Sequence, residues 1–320
     1  MNFHVLVTAR SFANTPGPHH ALLQEAGCLV DLRPPAHPYT AAELHDIVAG
    51  YDGIVAGLDA FDASVIGQAD RLKVISRYGV GVDAVDLDAA ARKGIAVTNT
   101  PGANMLGVSE LTLGLLFALA RRIPQVAAAA KVGEWKRPTG WELNGKTLGV
   151  IGFGTIGRDV GRKAVALGMQ VLAYDPFWKG EMIGVQGVDL ETVLAQSDVI
   201  TLHSALTPAT ANLINSERIV VMKDGAYLIN TARGELVDEE ALYNALLSGK
   251  LAGAAIDAFR HEPPVGSPLL TLDNFIAIPH LGATTKESVE RMAMMSSENL
   301  LAVLRDEPCD YVVNGVKIGQ

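Results

Sequence analysis

Two periodicities alternate along this chain. Short apolar runs of strand type, FHVLVTA, CLVDL, GIVAG, LKVIS and IAVTN, punctuate residues 1–99, and helix-spaced segments such as ASVIGQAD and DLDAAARKG separate them. Strands that alternate with helices predict a parallel sheet covered by helices. From Thr147 the alternation recurs more regularly. LGVIG, MQVLAYD, DVITLH, AYLINT, LAGAAID and FIAIP supply six strand candidates with helices between them, the pattern of a doubly wound sheet. Between the halves, Thr100 to Pro124 opens on turn residues and continues as a long apolar helix, which predicts a crossing from one domain into another. The following GEWKRPTGWELNGKT predicts irregular chain, either a packed loop or a surface arm for a partner subunit.

Composition narrows the class. A chain of 320 residues with 49% hydrophobic residues exceeds one typical domain and can bury a substantial core. The formal net charge of −9 argues against broad nucleic-acid or anionic-membrane binding, both of which use basic surfaces. Cys28 and Cys309 are too few for a disulfide framework and lack metal-ligand spacing, so a reducing cytoplasm and no metal site are expected. No charged, apolar leader precedes the first strand, and the greasiest stretch, Leu111 to Ala120, is far short of the ~20 residues a bilayer span needs.

The chemistry starts at LGVIGFGTIG, Leu148 to Gly157. A strand leading into Gly152, Gly154 and Gly157, then a helix, then a strand ending at Asp175, is the layout of a dinucleotide-binding βαβ unit. Gly152 allows a tight turn, Gly154 admits the pyrophosphate, and Gly157 allows close packing. A diphosphate then sits at the helix N-terminus, where unpaired N–H groups favour an anion. Asp175 lies 18 residues beyond Gly157, placed to bond a ribose diol and to repel a 2′-phosphate, which predicts NAD rather than NADP.

Ligands of such sheets bind outside the carboxyl ends of the strands. Those ends carry Asp175, His203, the turn Thr231 to Gly234, Asp257, and Pro279 to His280. Three side chains there have the right types for acid chemistry. The Arg233 guanidinium matches a substrate carboxylate in a two-bond fork, His280 can take or return a proton near neutral pH, and Glu262 can fix its tautomer. Each also has a plain structural role open to it. Arg233 can cap a helix or pair with Glu235, Glu262 can face water, and His280 can be a satisfied buried histidine. His261 rivals His280, and His203 either contacts cofactor ribose or phosphate or simply closes a strand. RYGVGVDAVD, Arg77 to Asp86, is either a flexible turn or a loop whose glycines let a ligand approach its N–H groups.

In this order and spacing, GFGTIG, LHSALTPAT, LINTARGELVDEEAL, GAAIDAFRHEPP and PHLGATTKES resemble the D-isomer-specific 2-hydroxyacid dehydrogenase family, and most closely its phosphoglycerate dehydrogenase branch, over nearly the whole chain. The resemblance implies NAD-dependent interconversion of a small 2-hydroxy acid and its 2-oxo acid. Arg233 then anchors the carboxylate, Glu262 orients His280, and His280 is the acid and base. Cofactor contacts map onto Gly154, Thr155, Ile156, Asp175, His203, Thr231 and Asp257, the last at the nicotinamide carboxamide. RYGVGVD resembles the family's substrate loop, so Arg77, Gly79 and Val80 become lining residues. The family also implies two Rossmann-like doubly wound parallel-sheet domains with an interdomain cleft. Residues 1–99 plus 285–320 form the substrate domain and residues 100–284 the NAD domain. Family members pair as homodimers through the NAD domain, which gives the Trp135 to Trp141 arm a use.

Two departures bear on substrate. The family branch usually places an arginine after the third strand, where this chain has GIVAGLDAFDAS, with Leu58 and Asp59 and no cation, a change expected to disfavour a dianionic phosphate. No regulatory domain follows the last helix in this sequence, so feedback through one is not expected. The alternatives are a phosphoglycerate dehydrogenase proper, with Arg77 or Ser11 holding the phosphate, and a non-catalytic NAD(H)-sensing protein of the same fold.

Overall fold

The computed structural model describes residues 2–319, and in it the five apolar runs before residue 100 become β1 (Phe3–Val7), β2 (Cys28–Leu32), β3 (Gly53–Ala56), β4 (Val74–Arg77) and β5 (Ala96–Thr98). They pair in parallel in the order β2-β1-β3-β4-β5. Parallel strands need crossovers, and helices supply them on both faces. Residues such as Val7, Ile54, Val55 and Ile75 are therefore sealed on either side, which is why the runs read as continuously apolar.

The later runs become β6 (Thr147–Ile151), β7 (Gln170–Tyr174), β8 (Val185–Gly187), β9 (Val199–Leu202), β10 (Ala226–Asn230), β11 (Leu251–Ile256) and β12 (Phe275–Ala277). This second sheet is also parallel, ordered β12-β11-β10-β9-β6-β7-β8, so the order in which successive strands are added reverses at β6. The seventh strand, β8, escaped the sequence pattern. It is a three-residue edge strand, VQG, with little buried surface and hence no apolar signature.

The chain forms two compact units, Met1–Asn104 with Ala283–Gln320, and Met105–Gly282. In the first, the helix Lys286–Leu304 returns to the small sheet. Its Leu300, Leu301 and Leu304 join Val5, Val55 and Val74 in one core, and the Ser76 hydroxyl donates to the Ser296 carbonyl at 2.8 Å.

The long apolar helix expected up to Pro124 is two helices, Met105–Arg121 and Ile123–Lys131. Arg122 adopts a left-handed backbone (φ 52°) between them, and Pro124, which lacks an N–H, starts a new helix better than it continues one. Ser109 of the first helix is fastened to the helix Thr155–Ala166 through Asp159, whose carboxylate accepts from the Ser109 hydroxyl at 2.5 Å and pairs with Lys163 at 2.7 Å. The arm beyond Lys131 is irregular as expected. Its Trp141 packs against Tyr227, ring centres 5.1 Å apart, while Trp135 is 77% exposed. No helix among the described residues is long and apolar enough to cross a membrane.

Candidate active site

The turn after β6 fits a dinucleotide. Gly152 takes φ +89°, and a Cβ there would meet the Ser204 nitrogen at 2.5 Å. A Cβ on Gly157 would strike the Gly152 carbonyl at 2.1 Å, so these two glycines close the turn on itself. Gly154 has open space above it, and Thr155 beside it is exposed. The helix Thr155–Ala166 begins with no side-chain cap. Seven other helix starts are capped, by Thr40, Asp62, Asp86, Asp189, Asn215, Asp238 and Thr285, while those at Arg10, Pro18 and Ile123 share the bare start. Its first N–H groups, those of Thr155, Ile156 and Gly157, remain available to an anion such as a diphosphate.

Asp175 follows β7. Its carboxylate accepts from the Phe153 N–H and the Phe177 N–H, both at 2.8 Å, and so ties the glycine turn to the next strand end. His203 follows β9 with Nε2 3.0 Å from the Thr201 hydroxyl and Nδ1 sealed from solvent. Burial pushes its imidazole down to about 3, so it enters any contact as a neutral ring rather than as a cation for phosphate.

Arg233, Glu262 and His280 come together on loops after β10, β11 and β12. Both Glu262 oxygens lie within bonding distance of His280 Nδ1, at 2.9 and 3.0 Å, and Oε1 also accepts from the Phe259 N–H at 3.0 Å. Burial raises the Glu262 carboxyl, but the bond and charge of His280, the Phe259 N–H and the nearby Arg233 charge outweigh it and hold the group below its ordinary value. His261 is exposed, and it is His280 that Glu262 engages.

The backbone supporting this trio was not visible in the motifs. His280 adopts φ 52°, a left-handed conformation rare for a side chain of its size, held because its N–H donates to the Asp257 carbonyl at 2.9 Å. The Asp257 carboxylate accepts from the next two N–H groups, Leu281 at 2.6 Å and Gly282 at 2.9 Å. Burial raises this carboxyl above its ordinary value, with those N–H bonds and the His280 charge acting against the rise. Asn230, buried at the end of β10, does the same for Arg233. Its amide donates to the Arg233 carbonyl at 2.7 Å and accepts from the Ala232 N–H at 3.0 Å. A Cβ on Gly234 would sit 2.2 Å from the Arg260 nitrogen and the Phe259 carbonyl carbon, so the arginine turn lies directly against the Glu262 loop.

In the other unit, the expectations meet a different geometry. Arg77 is only 2% exposed, and its guanidinium donates to the carbonyls of Ala56 (2.7 Å), Gly81 (3.0 Å) and Gly57. It fastens the ends of β3 and β4 from inside. Gly79 is buried with φ +147°, and Val80 is exposed on the same loop. Asp59 is 1% exposed, accepting from the Thr8 hydroxyl (2.5 Å), the Gly57 N–H (3.0 Å) and the Tyr39 N–H (2.9 Å). Its charge faces internal donors rather than solvent. Ser11 donates to the Tyr78 hydroxyl at 3.1 Å. Among the described residues, no group of three or more His, Cys, Asp or Glu side chains is placed to hold a metal ion.

The sheet order, the glycine turn and the uncapped helix define a dinucleotide-binding α/β protein. Residues 113–282 match the model of the D-isomer specific 2-hydroxyacid dehydrogenase, NAD binding domain. The chain is 49% identical over 262 residues to a D-3-phosphoglycerate dehydrogenase of Methanocaldococcus jannaschii, covering 80% of this chain and 50% of that one. It is 43% identical over 268 residues to a hydroxypyruvate reductase of Thermotoga maritima, 82% of this chain and 88% of that one. The crystal structure of the TT0316 protein from Thermus thermophilus superposes with a TM-score of 0.89 at 42% identity, covering 97% of this chain and 99% of that one. This chain belongs to the D-isomer-specific 2-hydroxyacid dehydrogenase family, and NAD is its cofactor. It spans about half the length of the phosphoglycerate dehydrogenases it matches.

Proposed function

We propose that this chain is an NAD-dependent dehydrogenase interconverting a short 2-hydroxy acid and its 2-oxo acid. The observation that carries the reading is the contact of His280 Nδ1 with both Glu262 oxygens. That contact keeps the proton on Nδ1 and leaves Nε2 as the nitrogen that exchanges one with the substrate. In oxidation Nε2 accepts the hydroxyl proton, and the ionised Glu262 stabilises the imidazolium that results. In reduction Nε2 returns the proton to the developing alkoxide. Arg233 orients the substrate through its carboxylate. NAD, when bound, supplies the acceptor and donor of hydride. Gly152, Gly154, Thr155, Ile156 and Gly157 hold its diphosphate, Asp175 its adenosine ribose, and His203, Thr231 and Asp257 its nicotinamide half.

For the substrate we favour an acid without phosphate, of the hydroxypyruvate kind. Arg77 directs its donors to backbone carbonyls, and the exposed residue of the loop after β3 is Leu58, not a cation. The relative named hydroxypyruvate reductase is matched over most of its length. Gly79 and Val80 are the substrate-loop residues of this reading. We further propose a cytoplasmic homodimer joined through the arm at Val132 and Trp135, which are 76% and 77% exposed. The test is NADH consumption with glyoxylate, hydroxypyruvate, sulfopyruvate and phosphohydroxypyruvate. Turnover highest on phosphohydroxypyruvate overturns the substrate class, and turnover on none of them favours an NAD(H)-sensing role.

A further inference from the structure

At the end of β10 the Thr231 hydroxyl lies 3.0 Å from that of Thr112, and Thr112 Oγ1 lies 2.8 Å from the Val108 carbonyl one turn back in the helix Met105–Arg121. Both threonines are buried. A hydroxyl has one proton to give and two lone pairs to offer. One ordering satisfies both protons within this chain of contacts: Thr231 donates to Thr112, and Thr112 donates to Val108. The reverse leaves the Thr231 proton without that partner in a buried place, an arrangement folded chains avoid. With its proton turned towards Thr112, Thr231 presents only lone pairs on its other side.

The position of Thr231 says what those lone pairs meet. The glycine turn follows β6, and Asp175 follows β7 on one side of it, while β9, β10 and β11 lie on the other. A dinucleotide with its diphosphate at β6 and its adenosine ribose at Asp175 extends its other half over β9 and β10. Val108 also packs where Gly282 and Asp257 meet, since a Cβ on Gly282 would lie 3.0 Å from Asp257 Oδ2 and 3.2 Å from Val108 Cγ2. Ser109, three residues before Thr112 on the same helix, is tied to Asp159.

We infer that Thr112 is a positioning residue that locks Thr231 as a hydrogen-bond acceptor, so that the end of β10 selects a ring substituent bearing N–H donors, the nicotinamide carboxamide, over one that offers only an acceptor. The inference rests on the NAD reading above. It gives Thr112 a role at a distance of 119 positions from the residue it governs.

The test compares dissociation constants, measured by calorimetry, for NADH and for reduced 3-acetylpyridine adenine dinucleotide, in which a methyl ketone replaces the carboxamide. The wild type binds NADH more tightly. In Thr112→Val the Thr231 proton is released to serve the ketone, so the preference for NADH falls by about threefold to tenfold, the effect of roughly one hydrogen bond. Thr112→Ser restores it. Simple loosening of the helix weakens both ligands by the same factor, and that result, or an unchanged ratio, overturns the proposal. Should Thr112→Val not fold, Thr231→Val serves instead: it removes the acceptor, so the same loss of preference is expected and an unchanged ratio is equally fatal. If the wild type binds neither ligand, the cofactor reading falls and takes the relay with it. NADH binding with an unchanged Thr112→Val ratio sinks the relay alone.

Discussion

Both oxygens of Glu262 bond one nitrogen of His280, Nδ1, at 2.9 and 3.0 Å. A carboxylate so engaged does two things to an imidazole: it chooses the tautomer, and it favours the charged ring once Nε2 has taken a proton. The two substitutions should therefore differ. His280→Ala removes the proposed proton carrier, and kcat should fall by about 10²- to 10⁴-fold with NADH affinity nearly intact. Glu262→Gln leaves the ring but takes away its partner charge, so a smaller fall in kcat accompanied by a displaced pH–rate profile is expected. Steady-state kinetics across pH check both, and an unmoved profile in Glu262→Gln would contradict the assignment.

Gly234 couples the arginine turn to the Glu262 loop by having no side chain. Gly234→Ala places a Cβ 2.2 Å from the Arg260 nitrogen and the Phe259 carbonyl carbon, and backbone has to move. Overpacking of this kind costs about 1–3 kcal/mol. A lowered Tm should come with a raised KM for the oxo acid, because Arg233 and Glu262 shift together. Thermal unfolding and kinetics on one preparation decide it, and a variant as stable and active as the wild type would show the contact to be soft.

Asp175 accepts from the Phe153 and Phe177 N–H groups, and the proposed function gives it the cofactor ribose as well. Asp175→Ser should weaken NADH binding and narrow the preference over NADPH, since a negative charge facing a 2′-phosphate is gone. Titration with both cofactors measures this. A ratio equal to that of the wild type would leave Asp175 with its backbone role alone.

His203 makes an acid-sensitive prediction. Unfolded, its imidazole takes a proton near 6.5, whereas folded it does so only near 3. Between those values the unfolded chain binds more protons, so this group's contribution to stability is lost as pH falls from about 6.5 towards 3. Because the residue is partly exposed, the loss at pH 5 is at most about 2 kcal/mol. His203→Asn removes it, so the stability gap between wild type and variant in urea should change between pH 7 and pH 5. A gap that does not depend on pH would show that His203 titrates normally.

Much of the fold and site was legible because the signals are contiguous. The Gly152 turn, the strand before it and Asp175 lie within one short stretch, and eleven of the twelve strands are apolar runs. What escaped depends on partners distant in sequence or on surface too small to leave a pattern. Arg77 reads as a loop cation, but its donors close on carbonyls 20 and 21 positions earlier. Asp59 reads as a displayed charge until Thr8, Gly57 and Tyr39 are folded around it. Asn230 carries no chemistry of its own and becomes visible only as the hinge pin of the Arg233 turn.

The helix Thr155–Ala166 begins without a side-chain cap, whereas helices such as those at Ala41, Leu87 and Glu239 have one. Such an end frays more readily than its neighbours, and amide exchange should be fastest in its first turn. A dinucleotide that fills this position completes the helix as well as occupying a site. Cofactor supply then becomes a term in the protein's own lifetime: a pool of NAD(H) above its dissociation constant slows local opening and the proteolysis that follows from it.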